Sequence, residues 1–182
     1  MKGVLRASVL VGLASLLLAG KPGGGQLPAA IGNAVETDGS SRASGREPAP
    51  AFAEKDIHGK RTVALKDYLG KVVMLNFWGT WCGPCREEVP ALKAIQARHK
   101  GQVVVIGVSV FSSEHDTRRF CKEYGIDYPV VYGSFDLMEK YDKVAVIPTT
   151  FLVDREGAIA AKVVGSRTRE QYEEMLEPLL NP

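Results

Sequence analysis

The sequence predicts an α/β protein with a mixed central β-sheet that is covered by helices on both faces and preceded by a β-hairpin. Two observations support this fold class. First, apolar runs that suit buried strands alternate with segments of helical periodicity, which is typical of parallel strands joined by right-handed crossovers. Second, two strand-like segments near the C-terminus flank the turn 154–157, which predicts antiparallel partners in the same sheet.

The individual elements follow from local residue patterns. The hairpin is expected within residues 52–63, with its turn at His58–Gly59. Segment Val72–Trp78 is almost continuously apolar, as expected for a central strand with both faces buried. The remaining strands are predicted at 103–108, Val130–Tyr132, Thr149–Val153 and 158–164. Helices are predicted at 86–99, 113–124 and 135–141, followed by a last helix that starts near Thr168 in a capping box with Gln171.

The N-terminal part of the chain differs in composition from the predicted domain. A basic start leads into a short apolar run, so residues 1–20 are predicted to be a signal peptide or an N-terminal anchor. The run is short beside the roughly 20 apolar residues of a spanning helix. Residues 21–48 are rich in Gly, Ala, Ser and Pro, which predicts a flexible linker. Residues 49–182 then form one domain, and we expect the protein outside the cytoplasm.

Charge and cysteine content narrow the classes of function. The formal net charge is +2, which is too small to favour nucleic acid or an anionic surface as a partner. The chain has three cysteines, Cys82, Cys85 and Cys121, which indicates one working pair and one spare instead of a disulfide-stapled scaffold. Cys121 is predicted to be an inert residue packed within a helix, because free cysteine is usually buried.

The strongest functional signal is the segment WCGPC at residues 81–85, which follows a buried strand and opens a helix. At a helix N-terminus, free N–H groups and the macrodipole favour an anion, so Cys82 is predicted to be the attacking thiolate. Cys85 lies within the first turn and is expected to be more buried. Gly83 leaves the backbone accessible to a partner, and Pro84 preorganises the first turn, where its missing N–H is harmless.

Two other interpretations of this CxxC motif are weaker. Half of a zinc site would need a second pair of ligands, and the three histidines are scattered along the chain without a second CxxC or an HxxxH. A purely structural disulfide would close a very small loop, and the stabilisation by a disulfide grows with loop length. The motif therefore favours redox chemistry between the two thiols.

The sequence resembles the thioredoxin superfamily, and within it the TlpA/ResA-like branch. The resemblance covers nearly all of residues 49–182 and rests on three stretches. These are VVMLNFWGTWCGPCREEVP at 72–90, the inserted segment 103–132, and IPTTFLVD at 147–154. It implies a thioredoxin fold and a thiol–disulfide oxidoreductase that has no bound cofactor or metal.

The resemblance also implies roles for individual residues. Pro148 corresponds to the family's cis-proline, whose loop lies against the CxxC motif, and the backbone of Ile147 would pair with an extended substrate. Trp81, Gly83 and Pro84 are further expected substrate contacts.

One position departs from ordinary thioredoxins. Their buried aspartate falls at Asn76, which cannot accept a proton in the same way. In the ResA-like branch a glutamate of the active-site helix takes part instead, and it matches Glu88, three residues after Cys85. Burial would raise the pKa of Glu88 and suit it to proton exchange with a thiol. The other interpretation makes Glu88, like its neighbour Glu87, a solvated charge on the helix.

The expected partners are a disulfide-containing protein as substrate and a membrane thiol-relay protein as reductant, with the chain itself a monomer. The resemblance favours reduction, with apocytochrome c as a candidate target, although oxidation would use the same residues. Two competing classes share the fold. A thiol peroxidase would attack peroxide from a differently built pocket, and a copper metallochaperone would add a histidine that the 147–154 stretch lacks.

Overall fold

The computed structural model describes residues 45–182, which contain two β-sheets. A two-stranded hairpin comes first, followed by a five-stranded sheet. The strands are β1 (Ala53–Lys55), β2 (Thr62–Ala64), β3 (Val72–Trp78), β4 (Val103–Ser109), β5 (Val130–Tyr132), β6 (Thr149–Val153) and β7 (Ile159–Val164). The helices are α1 (Gly83–Arg98), α2 (Glu114–Glu123), α3 (Phe135–Lys140) and α4 (Arg169–Leu180), and a short 3₁₀ turn covers Leu65–Tyr68.

The large sheet has the strand order β5-β4-β3-β6-β7. Strands β3, β4 and β5 run parallel, while β6 is antiparallel to both β3 and β7. The parallel strands are joined through α1 and α2, and the antiparallel pair is joined by a tight turn. The mixed sheet and the preceding hairpin confirm the predicted fold class.

Alternation along β3 divides the core into two halves, because successive strand residues point to opposite faces of a sheet. Val72, Met74 and Trp78 pack with the buried sides of α1, α2 and α4. Val73, Leu75 and Phe77 pack with α3 and the hairpin on the other face. All seven residues of β3 are buried, as expected for a central strand with helices on both sides.

Helix α1 begins three residues earlier than the predicted start at residue 86, because the CxxC motif itself forms its first turn. Cys82 is the N-cap, and Pro84 occupies the first turn without the loss of a hydrogen bond. The predicted capping box of α4 is confirmed. The Thr168 hydroxyl accepts a hydrogen bond from the Gln171 N–H at 3.3 Å, and the Gln171 side chain accepts one from the Thr168 N–H at 3.0 Å.

The predicted signal or anchor segment 1–20 and most of the predicted linker 21–48 lie outside the described residues. Within the described part, the chain already pairs with the sheet at residues 47–49. The Ile159 N–H donates to the Glu47 carbonyl at 2.8 Å, and the Ala49 N–H donates to the Gly157 carbonyl at 2.9 Å. Among residues 45–182, no helix is long and apolar enough to cross a membrane.

Candidate active site

Three loops meet at one edge of the large sheet and build the candidate site. Strands β3 and β4 are parallel, so the segments that follow them leave the same edge. Strand β6 runs in the opposite direction and therefore begins there. Consequently the loop before Cys82, the loop 110–113 after β4 and the loop that ends at Pro148 lie next to one another.

Cys82 and Cys85 form a disulfide, with their Cα atoms 5.3 Å apart. Both residues are buried, and Cys82 is only 5% exposed. The Cys82 sulfur accepts a hydrogen bond from the Cys85 backbone N–H at 3.2 Å. This donor belongs to the free N–H groups at the start of α1, which stabilise negative charge. In the dithiol form the same arrangement favours a thiolate at Cys82.

The Ile147–Pro148 peptide bond is cis, as the resemblance implied. The Ile147 carbonyl oxygen lies 3.8 Å from the Cys82 sulfur, so this loop lies directly against Cys82. Pro148 is buried, whereas Ile147 is partly exposed. Within the described residues, no acceptor takes up the Ile147 N–H. The loop therefore presents a free backbone donor beside the disulfide.

Glu88 is buried beneath the CxxC turn, with 2% of its surface exposed. One carboxylate oxygen accepts a hydrogen bond from the Asn76 side-chain amide at 2.8 Å. The other accepts one from the Tyr172 hydroxyl at 3.2 Å. Thr150 closes the ring, since its hydroxyl lies 2.9 Å from the Asn76 nitrogen and 3.0 Å from the Tyr172 oxygen. The four side chains come from β3, α1, β6 and α4 and form one closed polar network.

Burial raises the pKa of Glu88 from its ordinary 4.5 to about 7. The hydrogen bonds from Asn76 and Tyr172 act in the opposite direction, as do the N–H and the charge of Arg167, but they do not outweigh burial. Glu88 also lines a groove of about 490 Å³ between α1 and the start of α4. A carboxyl group with this pKa can hold or release a proton near neutral pH.

The other predicted contacts surround the disulfide. Trp81 is 61% exposed, and its indole N–H donates to the Phe111 carbonyl at 3.0 Å. Gly83 and Pro84 are exposed at the start of α1, and a Cβ on Gly83 would meet open space. Glu87 is exposed, in contrast to Glu88. The structure thus brings all eight predicted site residues to one edge of the sheet, although their roles stay predictions.

Sequence reasoning missed two members of the Glu88 network, Tyr172 and Thr150. Tyr172 lies 84 positions after Glu88, and Thr150 lies 74 positions after Asn76. No local sequence pattern distinguishes either residue from other buried residues of a helix or a strand. Cys121 is buried as predicted, and burial raises its pKa to about 12, so it stays a thiol at neutral pH.

Residues 45–182 hold no cluster of three or more His, Cys, Asp or Glu side chains that could bind a metal ion.

The disulfide between Cys82 and Cys85 lies at the start of α1, where free N–H groups favour a thiolate. This arrangement suits the exchange of disulfide bonds with thiols. The protein is a thiol–disulfide oxidoreductase.

Comparison with known proteins identifies the family. The chain belongs to the AhpC/TSA family, whose model matches residues 46–162. It is 38% identical to the thiol-disulfide oxidoreductase ResA of Bacillus subtilis (strain 168) over 154 residues, which cover 84% of each chain. It is 35% identical to ResA of Bacillus anthracis over 132 residues, which cover 72% of this chain and 76% of the relative.

Solved structures agree with the thioredoxin-like fold. A thiol:disulfide interchange protein of the thioredoxin family from Chlorobium tepidum TLS has a TM-score of 0.70 at 26% identity, covering 74% of this chain and 97% of its own. A DsbF homologue from Corynebacterium diphtheriae has a TM-score of 0.69 at 28% identity, covering 75% of this chain and 88% of its own.

Proposed function

We propose that the protein reduces disulfides in partner proteins outside the cytoplasm, using Cys82 and Cys85. The observation that carries this proposal is the position of the Cys82 sulfur, at the start of α1 and 3.8 Å from the Ile147 carbonyl. An extended partner segment can pair with the backbone of Ile147 as an added strand does with a sheet edge. Its disulfide would then lie against the attacking sulfur.

In the first step, the Cys82 thiolate attacks one sulfur of the partner's disulfide. A new bond joins Cys82 to the partner, the partner's disulfide breaks, and its second sulfur leaves as a thiolate that takes a proton from solvent. The N–H groups at the start of α1 lower the energy of the attacking thiolate. Trp81, Gly83 and Pro84 contact the partner while the mixed disulfide exists.

In the second step, Cys85 attacks the sulfur of Cys82 and releases the partner. Glu88 accepts the proton of the Cys85 thiol, because its pKa of about 7 makes the carboxylate available near neutral pH. The partner's remaining sulfur leaves Cys82 as a thiolate and takes up a proton, while Glu88 gives the proton from Cys85 back to solvent or to this thiolate. The partner has then gained two electrons and two protons in all. The protein is left with the Cys82–Cys85 disulfide, which an external dithiol must reduce.

Membership in the ResA-like group supports reduction as the direction and a membrane thiol-relay protein as the source of electrons. It also supports a c-type cytochrome apoprotein as substrate, since haem attachment requires the free thiols of a CxxCH segment. In this proposal residues 1–20 direct export or anchor the chain, residues 21–48 act as a linker, and the monomeric domain 49–182 carries the chemistry.

Two cysteine variants test the exchange mechanism. Cys82→Ser should abolish reduction of a protein disulfide such as that of insulin, because the attacking sulfur is lost. Cys85→Ser should accumulate mixed disulfides with protein substrates, because attack continues while release is prevented. Full turnover by Cys82→Ser would contradict the proposal, and so would consumption of peroxide at a rate far above that of disulfide exchange.

The proposed location has its own test. Residues 1–48 are fused to a reporter enzyme that becomes active only after export from the cytoplasm. We expect an active reporter, and a fusion that lacks residues 1–20 serves as the inactive control. A reporter that remains wholly cytoplasmic with the full segment would overturn the proposed location and leave the exchange chemistry standing.

A further inference from the structure

We propose that Phe111, together with Trp81, binds an apolar side chain of the partner next to the disulfide that is exchanged. Phe111 would thereby select substrates whose reactive cysteine has an aliphatic or aromatic neighbour. This inference rests on the proposed function and adds to it the class of substrate.

Phe111 has an unusual backbone conformation for an aromatic residue. Its φ angle is +52°, in the left-handed region that favours glycine and asparagine. Burial of the ring does not compensate for this conformation, since the residue is 60% exposed. Strained residues that the surrounding structure holds in place cluster at functional sites. The loop therefore displays an aromatic ring at a position that favours a small or polar residue.

The hydrogen bonds that hold this loop come from the segment that leads to Cys82. The Val110 N–H donates to the Trp78 carbonyl at 2.8 Å, and the Trp81 indole donates to the Phe111 carbonyl at 3.0 Å. The Thr80 N–H donates to the Ser112 hydroxyl at 3.0 Å. Three hydrogen bonds thus connect the loop that contains Phe111 to the segment 78–81, which leads to Cys82.

Gly79 shows how closely the three loops of the site converge. A Cβ atom on Gly79 would lie 3.1 Å from the Ile147 side chain and 3.2 Å from both the Trp81 indole nitrogen and the Val110 carbonyl. Val146, next to Ile147, is 57% exposed, whereas Cys82 is 5% exposed. Cys82 is therefore buried, whereas Trp81, Phe111 and Val146 on the three neighbouring loops are exposed apolar residues.

The groove beside this apolar surface has equal numbers of positive and negative side chains. This groove of about 310 Å³ continues from Trp81 along α2. Its lining contains two cations, Arg86 and Arg119, and two anions, Asp116 and Glu123. The lining of this groove therefore has no net charge, and we base the selection of partners on the exposed apolar pair Trp81 and Phe111.

The test compares the reduced full-length protein with its Phe111→Asn variant on three disulfides. Asparagine removes the ring and tolerates the left-handed conformation, so the loop can keep its backbone. Two peptides carry the same disulfide, with Phe or Ser next to the reactive cysteine, and the third substrate is 2-hydroxyethyl disulfide. For the Phe peptide, we expect the variant's rate constant to fall about tenfold, which corresponds to about 1.4 kcal/mol. The other two substrates should react within about twofold of wild type, on the same scale.

Two control variants make the outcome decisive. Phe111→Tyr keeps the ring and should retain the preference for the Phe peptide. Leu69→Ala removes an exposed apolar side chain before β3, at the opposite edge of the sheet, and should change none of the rates. An unchanged ratio between the two peptides in Phe111→Asn overturns the inference, and so does an equal loss on all three disulfides. If the wild-type protein reacts with none of them, the proposed function itself fails.

Discussion

At the residue scale, burial and hydrogen bonding have opposite effects on the pKa of Glu88. Its strongest partners are the neutral donors Asn76 and Tyr172, and the positive charge of Arg167 contributes less than either. Burial therefore dominates and raises the pKa of Glu88 to about 7. A carboxyl group one helical turn beyond Cys85 with this pKa is suited to accept the thiol proton.

The substitution Glu88→Gln tests this role. Glutamine keeps the shape of the side chain and can still bond Asn76 or Tyr172, but it cannot accept a proton. We expect disulfide exchange to slow by about 100-fold, which is the lower end of what general acid–base catalysis contributes. The pH profile of the rate should also lose its inflection near pH 7. The measurement is the rate of exchange with a protein disulfide from about pH 5 to about pH 9, a range that brackets the pKa of Glu88 at about 7 and the ordinary thiol pKa of about 8.5.

The control for this prediction is Glu87→Gln, which removes the exposed neighbouring charge on the same helix. Its rates and pH profile should match those of the wild type. If Glu88→Gln and Glu87→Gln behave alike, Glu88 has no part in proton transfer.

At the element scale, the site depends on α4, an element distant in sequence from the CxxC motif. The capping box at Thr168 fixes the start of α4, and one turn later Tyr172 reaches the Glu88 carboxylate. The same hydroxyl contacts Thr150 of β6, so the helix is joined to the sheet at the site as well as through its apolar side. Helix α4 therefore contributes directly to the surroundings of Glu88 in α1.

Tyr172→Phe should raise the pKa of Glu88 further. The phenol donates to the ionised carboxylate, so its removal destabilises the charged form. A hydrogen bond to a charged group is worth about 1.5 kcal/mol or more, so the inflection in the pH profile should move up by about one pH unit. Tyr141→Phe is the matched control, because its buried hydroxyl donates to Pro50 on the other face of the sheet. An inflection that stays in place in Tyr172→Phe would show that the phenol does not influence Glu88.

At the scale of the whole molecule, the raised pKa of Glu88 predicts how stability depends on pH. The folded state binds the Glu88 proton more tightly than the unfolded chain, whose carboxyl has a pKa near 4.5. The contribution of Glu88 to the free energy of unfolding is therefore fully present below pH 4.5. It declines as the pH rises and is lost once the pH passes about 7. The total decline is roughly 3 kcal/mol, since a pKa difference of one corresponds to about 1.4 kcal/mol.

The measurement is the free energy of unfolding of the oxidised protein as a function of pH. In Glu88→Gln the decline from Glu88 should disappear, so the variant should be more stable than the wild type above pH 7. Glu88→Gln should therefore be more stable and yet exchange disulfides more slowly, so partial unfolding cannot explain the slower exchange. Equal slopes in wild type and variant would contradict the prediction.

Much of the fold was predictable from sequence because its signals are local. The apolar run of β3, the capping box at Thr168 and the segment 81–85 each lie within a few residues, and each appears in the structure where it was predicted. Cys82 and Cys85 could be recognised for the same reason, since both the motif and the helix that it begins are continuous in the chain.

The remainder of the site depended on the tertiary structure. Strand register and the packing of α4 bring together Asn76, Thr150 and Tyr172 around Glu88, and the parallel pairing of β3 with β4 places Phe111 beside Trp81. Periodicity shows which face of an element is buried, but it carries no information about which distant side chain lies opposite. The sequence alone thus determined the redox pair and its scaffold. Only the tertiary structure determined the burial that raises the pKa of Glu88, the hydrogen bonds that oppose this rise, and the position of the exposed Phe111 next to Trp81.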